Sequence, residues 1–354
     1  MTYQAGSLVS LAIPEGLPDG MPAVFDDMSF ALSLGLQNRT VWWLIHASKI
    51  DCIAAGRGAY DVFRVPKKSG GSRQIHAPRA TLKRVQRVLL QVYFNKLPVG
   101  DWVGAYVPGR DMVYSVNKHT NKDVVVSLDL SNFFGSTKRT WVREWLEGLG
   151  YGMEVVVPMS GLITVPVRRR HGVTYVVPQG APTSGAVTNH VASARLDAPL
   201  MAYLENAGLT DWDYTRYADD LTISYNGFLP KDEFDVFMEG VRQVVKDSGY
   251  YLNHKKTRVA VSRPAESAPQ RMLGMSIHKK PNVPREKKRL LRARVHHMVT
   301  QRHPCYDADN IFAASRQRSQ ALDKLFAELR YWVRISPQTI EPLLTQLEET
   351  FPNE

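Results

Sequence analysis

RYADDLTISY, residues 216–225, sets two adjacent carboxylates inside a run that otherwise alternates as paired β-strands do. Tyr214 and Tyr217 precede the pair, and Leu221, Ile223 and Tyr225 alternate after it, so the stretch reads as a half-buried hairpin with Asp219 and Asp220 at its tip. Two ionised carboxylates side by side repel each other, and each is costly to desolvate unless a cation or a proton compensates. A solvated Asp-Asp turn accounts for the pair equally well in isolation, because Asp is common in turns. The choice between these readings depends on what else the chain brings to that tip.

The whole sequence sets bounds on the answer. Its 354 residues are 44% hydrophobic, enough for a large core divided among two or three subdomains. A formal charge of +11 and a pI near 9.5 favour a polyanionic partner such as nucleic acid. With only Cys52 and Cys305, neither a disulfide framework nor a cysteine-rich zinc site is credible, and a reducing cytoplasm fits. The opening MTYQAGSLVSLAIPEGLPDG lacks a basic stretch followed by a sustained apolar one, and no apolar run reaches membrane-spanning length, so no membrane association is expected.

Moving outward along the chain, residues 24–48 carry apolar residues at helical spacing with a break at Gly35, which predicts one or two short helices. VFRVPKKSGGSRQIHAP, residues 62–78, reads as a strand, a Gly-Gly turn and a returning strand. TLKRVQRVLLQVYFNKL follows as a helix with Val85, Val88, Leu89, Val92 and Tyr93 on one face and Lys83, Arg84 and Arg87 off it. Residues 164–177 form a second hairpin around His171-Gly172. PQGAPTSGAVTN then begins as a loop and becomes a helix whose start, rich in amides and hydroxyls, suits an anion. REKKRLLRARVHHMVTQRH, residues 285–303, holds seven Arg or Lys against one Glu and reads as a nucleic-acid face carrying Arg289 and Arg292. Leu322, Leu325, Phe326, Leu329 and Val333 make an apolar helical stripe, and the acidic last segment packs away from nucleic acid.

DVVVSLDLSNFFGST, residues 123–137, moves from Val124, Val125 and Val126 through Leu128 into a polar turn, as a central strand does when it ends at a functional edge. Asp129 interrupts that run, either as a surface residue of a misread strand or as a metal ligand. Two neighbouring strands could bring Asp129 and Asp219 onto a shared pair of divalent cations. Two metals ~3.5–4 Å apart can activate a hydroxyl and stabilise a departing oxygen in phosphoryl transfer. Mg²⁺ suits such a site, since it takes oxygen ligands and keeps positions for water and phosphates.

Seven blocks in order, VPKKSGGSRQIHAP, TLKRVQRVLL, VVVSLDLSNFF, VPQGAPTSGAVTN, RYADDLTIS, GYYLNHKKTRV and QRMLGMSIH, resemble the reverse transcriptases, and among them the bacterial retron-type enzymes. The resemblance runs from about residue 28 to residue 280. It implies an α+β fold of right-hand polymerase type, with an antiparallel palm sheet flanked by helices, fingers and a helical thumb. The expected division is an N-terminal helical region over 1–60, fingers over 61–122, palm over 123–280 with inserted fingers at about 138–178, and thumb over 281–354.

The resemblance also implies roles at matching positions. Asp129, with the Leu130 carbonyl, and Asp219 hold two Mg²⁺ ions, with Mn²⁺ as a substitute, while Asp220 completes the carboxylate set or sits nearer the primer. Phe134 excludes a ribose 2′-hydroxyl by steric clash, and core packing is the alternative for Phe133 and Phe134. Arg73 contacts the triphosphate, helped by Lys67 or Lys68, which otherwise belong to a solvated basic hairpin. Gln179 and Gly180 lie against the incoming nucleotide, and Lys256, beside Lys255, stands near the leaving pyrophosphate. Tyr217, Gly274, Arg289, Arg292 and His119 are expected on the nucleic acid.

Two retron elements depart from pattern. Where Asn-Ala-x-x-His is usual, this chain has Ser115, Val116 and His119, and the Val-Thr-Gly triplet falls on Met272-Leu273-Gly274. The absence of a recognisable maturase or endonuclease segment argues against a group II intron protein. A divergent retron enzyme is the first expectation. It implies dNTP substrates, a structured non-coding RNA as template and primer, a branched RNA–DNA product, and a part in phage defence with a separately encoded effector. A different bacterial reverse transcriptase, from a diversity-generating or defence element, and a non-catalytic RNA-binding scaffold remain the alternatives.

Overall fold

The structure, a computed structural model, describes residues 17–67, 70–170, 172–262, 270–300 and 311–352, with backbone alone for 311–318. Lys68, His171 and residues 301–303 therefore lie outside the described residues. Among the described residues, ten short strands are set among helices. The strands are β1 (Tyr60–Pro66), β2 (Ser72–Pro78), β3 (Val124–Asp129), β4 (Val165–Arg169), β5 (Gly172–Val176), β6 (Thr210–Tyr217), β7 (Asp220–Asn226), β8 (Arg258–Val261), β9 (Arg271–Met272) and β10 (Met275–Ser276).

The palm is a four-stranded antiparallel sheet in the order β6-β7-β3-β8. Successive side chains of a strand point to opposite faces, so β3 splits into two sets. Val124, Val126 and Leu128 enter the main core with Leu221, Ile223 and Tyr225 of β7. Val125, Ser127 and Asp129 face the other way, where Val125 joins a second core built mostly from the C-terminal helices. Register pairs Ser127 with Thr222 and Asp129 with Asp220 on that second face. The face therefore grades from apolar at the rear to acidic at one tip.

Helices cover the first face. Ser184–Ala192 and Ala198–Glu205 are joined by a π-helical turn, Ser193–Asp197, and the wider turn delivers Asp197 to the sheet. There it meets Arg216 of β6, and both side chains are 0% exposed. Arg216 Nε and Nη2 donate to the Asp197 carboxylate at 2.8–3.0 Å, and Nη1 donates to Asn189 Oδ1 at 2.9 Å. Tyr214 Oη and Trp102 Nε1 also donate to Asp197, at 2.8 and 3.1 Å. The guanidinium lies 5.5 Å from the Phe133 ring centroid. Every charge here has several partners, the condition under which a buried pair is tolerated.

The remaining parts attach to this centre. The β1–β2 hairpin turns through Gly70 and Gly71, both left-handed, and is tied to the palm where His76 N donates to Gln179 O at 2.8 Å. Helix Ala80–Val92 buries Leu82, Val85 and Leu89 and turns Lys83, Arg84 and Arg87 outward. The expected break at Gly35 separates helices Asp27–Ser33 and Asn38–Ala47. Helices Arg285–Thr300, Ile311–Val333 and Pro337–Thr350 enclose the second core, with Leu322, Leu325, Phe326 and Leu329 buried, and Met272 and Met275 of the β9–β10 hairpin pack into it. Among the described residues no helix is long and apolar enough to cross a membrane.

Removing one partner of the buried pair leaves the other charge unpaired. Asp197→Ala is expected to destabilise the protein by about 3–5 kcal/mol, and Arg216→Met with Asp197→Leu together by clearly less than the two single changes summed. Denaturant unfolding of the singles and the double checks this, and additive losses would contradict it.

Candidate active site

The tip of the β6–β7 hairpin is a two-residue loop, Ala218-Asp219, closed by the Tyr217–Asp220 pair. Ala218 is left-handed at φ 57°, which costs a non-glycine residue roughly 1–2 kcal/mol. The loop is locked to the end of β3 because Leu130 N donates to Asp219 O at 2.8 Å. No hydrogen bond among the described residues ends on the Leu130 carbonyl. Asp129, Asp219 and Asp220 thus share one tip, although β3 and β7 lie far apart in sequence.

A third segment reaches the same place. Asn253 N donates to Asp129 O at 2.7 Å, Asn253 Nδ2 donates to Asp129 Oδ1 at 3.2 Å, and Lys256 Nζ donates to Asp129 Oδ2 at 2.7 Å. Burial raises the Asp219 carboxyl above the usual range, Asp129 adds to this, and Lys256 and Arg73 oppose it. Burial and the charges of Asp219 and Asp129 push Asp220 up to about 6. The Lys256 ammonium rises, chiefly through its hydrogen bond to Asp129. More negative charge is gathered here than one lysine neutralises. Among the described residues no three His, Cys, Asp or Glu side chains converge into a cage. The donors instead fit an open, oxygen-ligated dication that draws its other ligands from water and phosphate, as Mg²⁺ does.

On one side of the carboxylates a cleft of about 520 Å³ is walled by Lys67, Arg73, Gln179, Phe134, Tyr106 and Arg169, with Asp129, Asp219 and Lys256 at its base. Gly180 permits the close approach of its loop to β2: at φ 115°, a Cβ there would lie 2.8 Å from Ile75 Cγ2 and 3.3 Å from His76 O. Phe133 is buried against Tyr250, whereas Phe134 is only partly buried and faces the cleft. Arg169 Nη2 donates to Gly135 O at 3.1 Å from the β4–β5 hairpin. A second cleft, on the other side, is lined by Arg258, Arg271, Leu273 and Gly274 beside the three aspartates. Leu273 and Gly274 are both left-handed, so the β9–β10 turn holds Leu273 in a conformation rare for a bulky residue.

The structure brings Lys67, Arg73, Gln179, Phe134 and Lys256 to the carboxylates, and sets Gly180, next to Gln179, against Ile75 and His76 of β2. Tyr217 is half-buried beside them, and Arg289 and Arg292 are exposed on helix Arg285–Thr300, while neighbouring Lys287 and Arg294 pair with Glu328. His119 requires correction. It is 0% exposed, with Nδ1 2.7 Å from Ser224 Oγ and Nε2 2.7 Å from Thr215 Oγ1. Burial pushes its imidazole down to about 3, so it is a neutral packing residue on the rear of the palm and cannot touch nucleic acid. The helix start after PQG is also not the anion seat that its hydroxyls suggested. Thr183 makes no cap, and Ser184 Oγ turns inward to donate to Pro178 O at 2.6 Å. Sequence reasoning missed Tyr106, Arg169 and Asn253. Tyr106 gave one signal, an aromatic residue beside the turn-forming Pro108-Gly109.

An antiparallel palm with carboxylates at one tip, a basic hairpin over it and a helical C-terminal layer defines a right-hand polymerase of the α+β class. The family model described as reverse transcriptase (RNA-dependent DNA polymerase) matches residues 65–277. The chain is 36% identical over 247 residues to the retron Mx65 reverse transcriptase of Myxococcus xanthus, covering 67% of this chain and 55% of that protein. To the retron Mx162 reverse transcriptase of the same organism it is 31% identical over 301 residues, 78% and 60% of the two chains. To the retron Ec86 reverse transcriptase of Escherichia coli it is 27% identical over 242 residues, 68% and 70%. The chain belongs to the reverse transcriptase family, and these similarities make it one of retron type. It spans less than two thirds of the length of the two Myxococcus relatives.

Because Asp220 has a higher pKa folded than the unfolded value of 3.8, its contribution favours the fold below that value and is lost as pH rises through about 6. Asp220→Asn should therefore raise the melting temperature at pH 7.5 in the absence of divalent cations, with the gain fading by pH 4. The residue is still partly open to solvent, and screening keeps the gain to about 1 kcal/mol or less. A gain of the same size at both pH values in thermal melts would contradict this assignment.

Proposed function

We propose that this chain is the RNA-directed DNA polymerase of a retron. The observation that carries the reading is the cross-strand pairing of Asp129 with Asp220, beside Lys256 and at the base of the cleft that holds Arg73. Asp129, Asp219 and the Leu130 carbonyl would hold two Mg²⁺ ions, or Mn²⁺ in their place, with Asp220 toward the primer. Bound there, such cations supply Lewis-acid stabilisation of the attacking hydroxyl and of the phosphates.

The protein's own groups do the rest. Arg73, with its planar fork, pairs triphosphate oxygens, and Lys67 adds charge at the mouth of the cleft. Gln179 and Gly180 form the surface against which the incoming dNTP lies, and Phe134 rejects a ribose by occupying the space of its 2′-hydroxyl. Lys256 orients Asp129 and stands where the leaving pyrophosphate gathers charge. Tyr217 and Gly274 border the primer end. Arg289 and Arg292 contact phosphates of the duplex, a contribution that weakens as salt rises.

The retron names of the relatives support a structured non-coding RNA as template and primer. Synthesis then starts from an internal guanosine 2′-hydroxyl in the cytoplasm, gives a branched RNA–DNA, and serves phage defence with a separately encoded effector. Asp219→Ala with Asp220→Ala should abolish Mg²⁺-dependent dNTP incorporation while RNA binding in a filter assay stays near wild type, and normal synthesis by that double mutant would remove the metal assignment. Phe134→Ala should raise ribonucleotide incorporation. Sequencing the nucleic acid that co-purifies tests the retron reading: a short DNA joined to a structured RNA supports it, and unbranched cDNA points to another bacterial reverse transcriptase.

A further inference from the structure

Tyr106 is held in a way that the reaction above leaves unused. Its backbone is left-handed at φ 58°, rare for an aromatic residue, yet its side chain remains 55% exposed. Core packing therefore does not explain the strain, and an observed outlier of this kind points to function. The ring meets that of Phe134 edge-on, with centroids 5.9 Å apart and planes at 62°.

The loop carrying Tyr106 has little freedom. Gly104 N donates to Arg216 O at 2.9 Å, Asn189 Nδ2 donates to Ala105 O at 2.7 Å, and Arg110 Nη1 donates to the carbonyls of Gly100 and Val103 at 2.6 and 2.7 Å. The ring rests on Gly185 in the first turn of helix Ser184–Ala192. A Cβ at Gly185 would lie 2.3 Å from Tyr106 Cγ and 2.7 Å from its Cβ and Cδ1. These atoms lie at the root of the side chain, so the ring could not avoid such a Cβ by a small rotation of its far end. Beyond the ring a separate cavity of about 190 Å³ opens between Phe94, Val107 and Ala186. Tyr106 thus stands as a wall between this cavity and the cleft that Phe134 faces.

We propose that Tyr106 is a positioning residue for sugar selection: its ring, fixed by the left-handed backbone and by Gly185, stops Phe134 from yielding to a ribose 2′-hydroxyl. The role rests on Phe134 being the sugar gate. Without the Tyr106 ring, the space behind it becomes available to the Phe134 side chain, and the clash that excludes a ribonucleotide softens.

The test is single-nucleotide incorporation by the full chain on an RNA template annealed to a DNA primer, comparing kcat/KM for dGTP and GTP, with thermal melts of every variant. Tyr106→Ala is expected to lower the preference for the deoxynucleotide on the order of tenfold or more, with a much smaller loss of dGTP efficiency. Tyr106→Phe keeps the preference, since the ring and not the hydroxyl makes the contact. Gly185→Ala, which displaces the ring, lowers the preference too, but adds nothing further in the Tyr106→Gly background, where neither ring nor Cβ is left to meet it. Tyr106→Gly relieves the backbone and should melt no lower than wild type while losing selectivity, so impaired folding cannot imitate the effect. Relaxed selectivity in Phe134→Ala with none in Tyr106→Ala or Gly185→Ala overturns the positioning role alone. Unchanged selectivity in Phe134→Ala removes the gate, and the positioning role falls with it.

Discussion

The buried Arg216–Asp197 pair is the constraint on which the rest of the molecule depends. It joins β6 to the π-helical turn beneath the sheet and fixes where the hairpin tip stands relative to the helices. Through Asn189 and the backbone of Arg216 it also fixes the loop that carries Tyr106, and through Phe133 it supports the turn that carries Phe134. Two charges without solvent are stable only with partners on every side, so this network admits few alternative arrangements. Its value is placement more than net stability.

That placement allows the opposite electrostatic situation at the tip of the same hairpin. Asp219 and Asp220 are held with raised carboxyl pKa values, and among the described residues Lys256 is the one cation paired with Asp129. A locally unfavourable concentration of charge persists because the sheet register and the Leu130–Asp219 hydrogen bond leave the side chains no route apart. Strain of this kind concentrates at sites that await a ligand. Four non-glycine left-handed residues, Tyr106, Asn132, Ala218 and Leu273, stand around the same tip, each in a turn or a pinned loop.

The Asp pair, the grading of 123–129 from apolar to acidic and the Gly-Gly turn at 70–71 were legible because strand alternation and turn chemistry are local properties. So was the retron-type resemblance, because its blocks are contiguous. His119 was not legible. As a polar residue at a family position it reads as a contact, but its neighbours Thr215 and Ser224 lie far along the chain and only folding sets them on either side of the ring. The hydroxyls of Thr183 and Ser184 misled for the same reason, since the helix start they occupy is buried.

By itself, the sequence determined which residues carry charge, which segments alternate as strands, and which family's blocks the chain contains, all matters of composition and near-neighbour spacing. Tertiary structure alone decided that Asp129 would stand opposite Asp220, that Arg216 of the same motif would turn inward to Asp197, and that Tyr106 would lean on Phe134. Those outcomes depend on register and on which helix covers which face. Register and coverage are set by contacts between distant segments, and no local pattern encodes them.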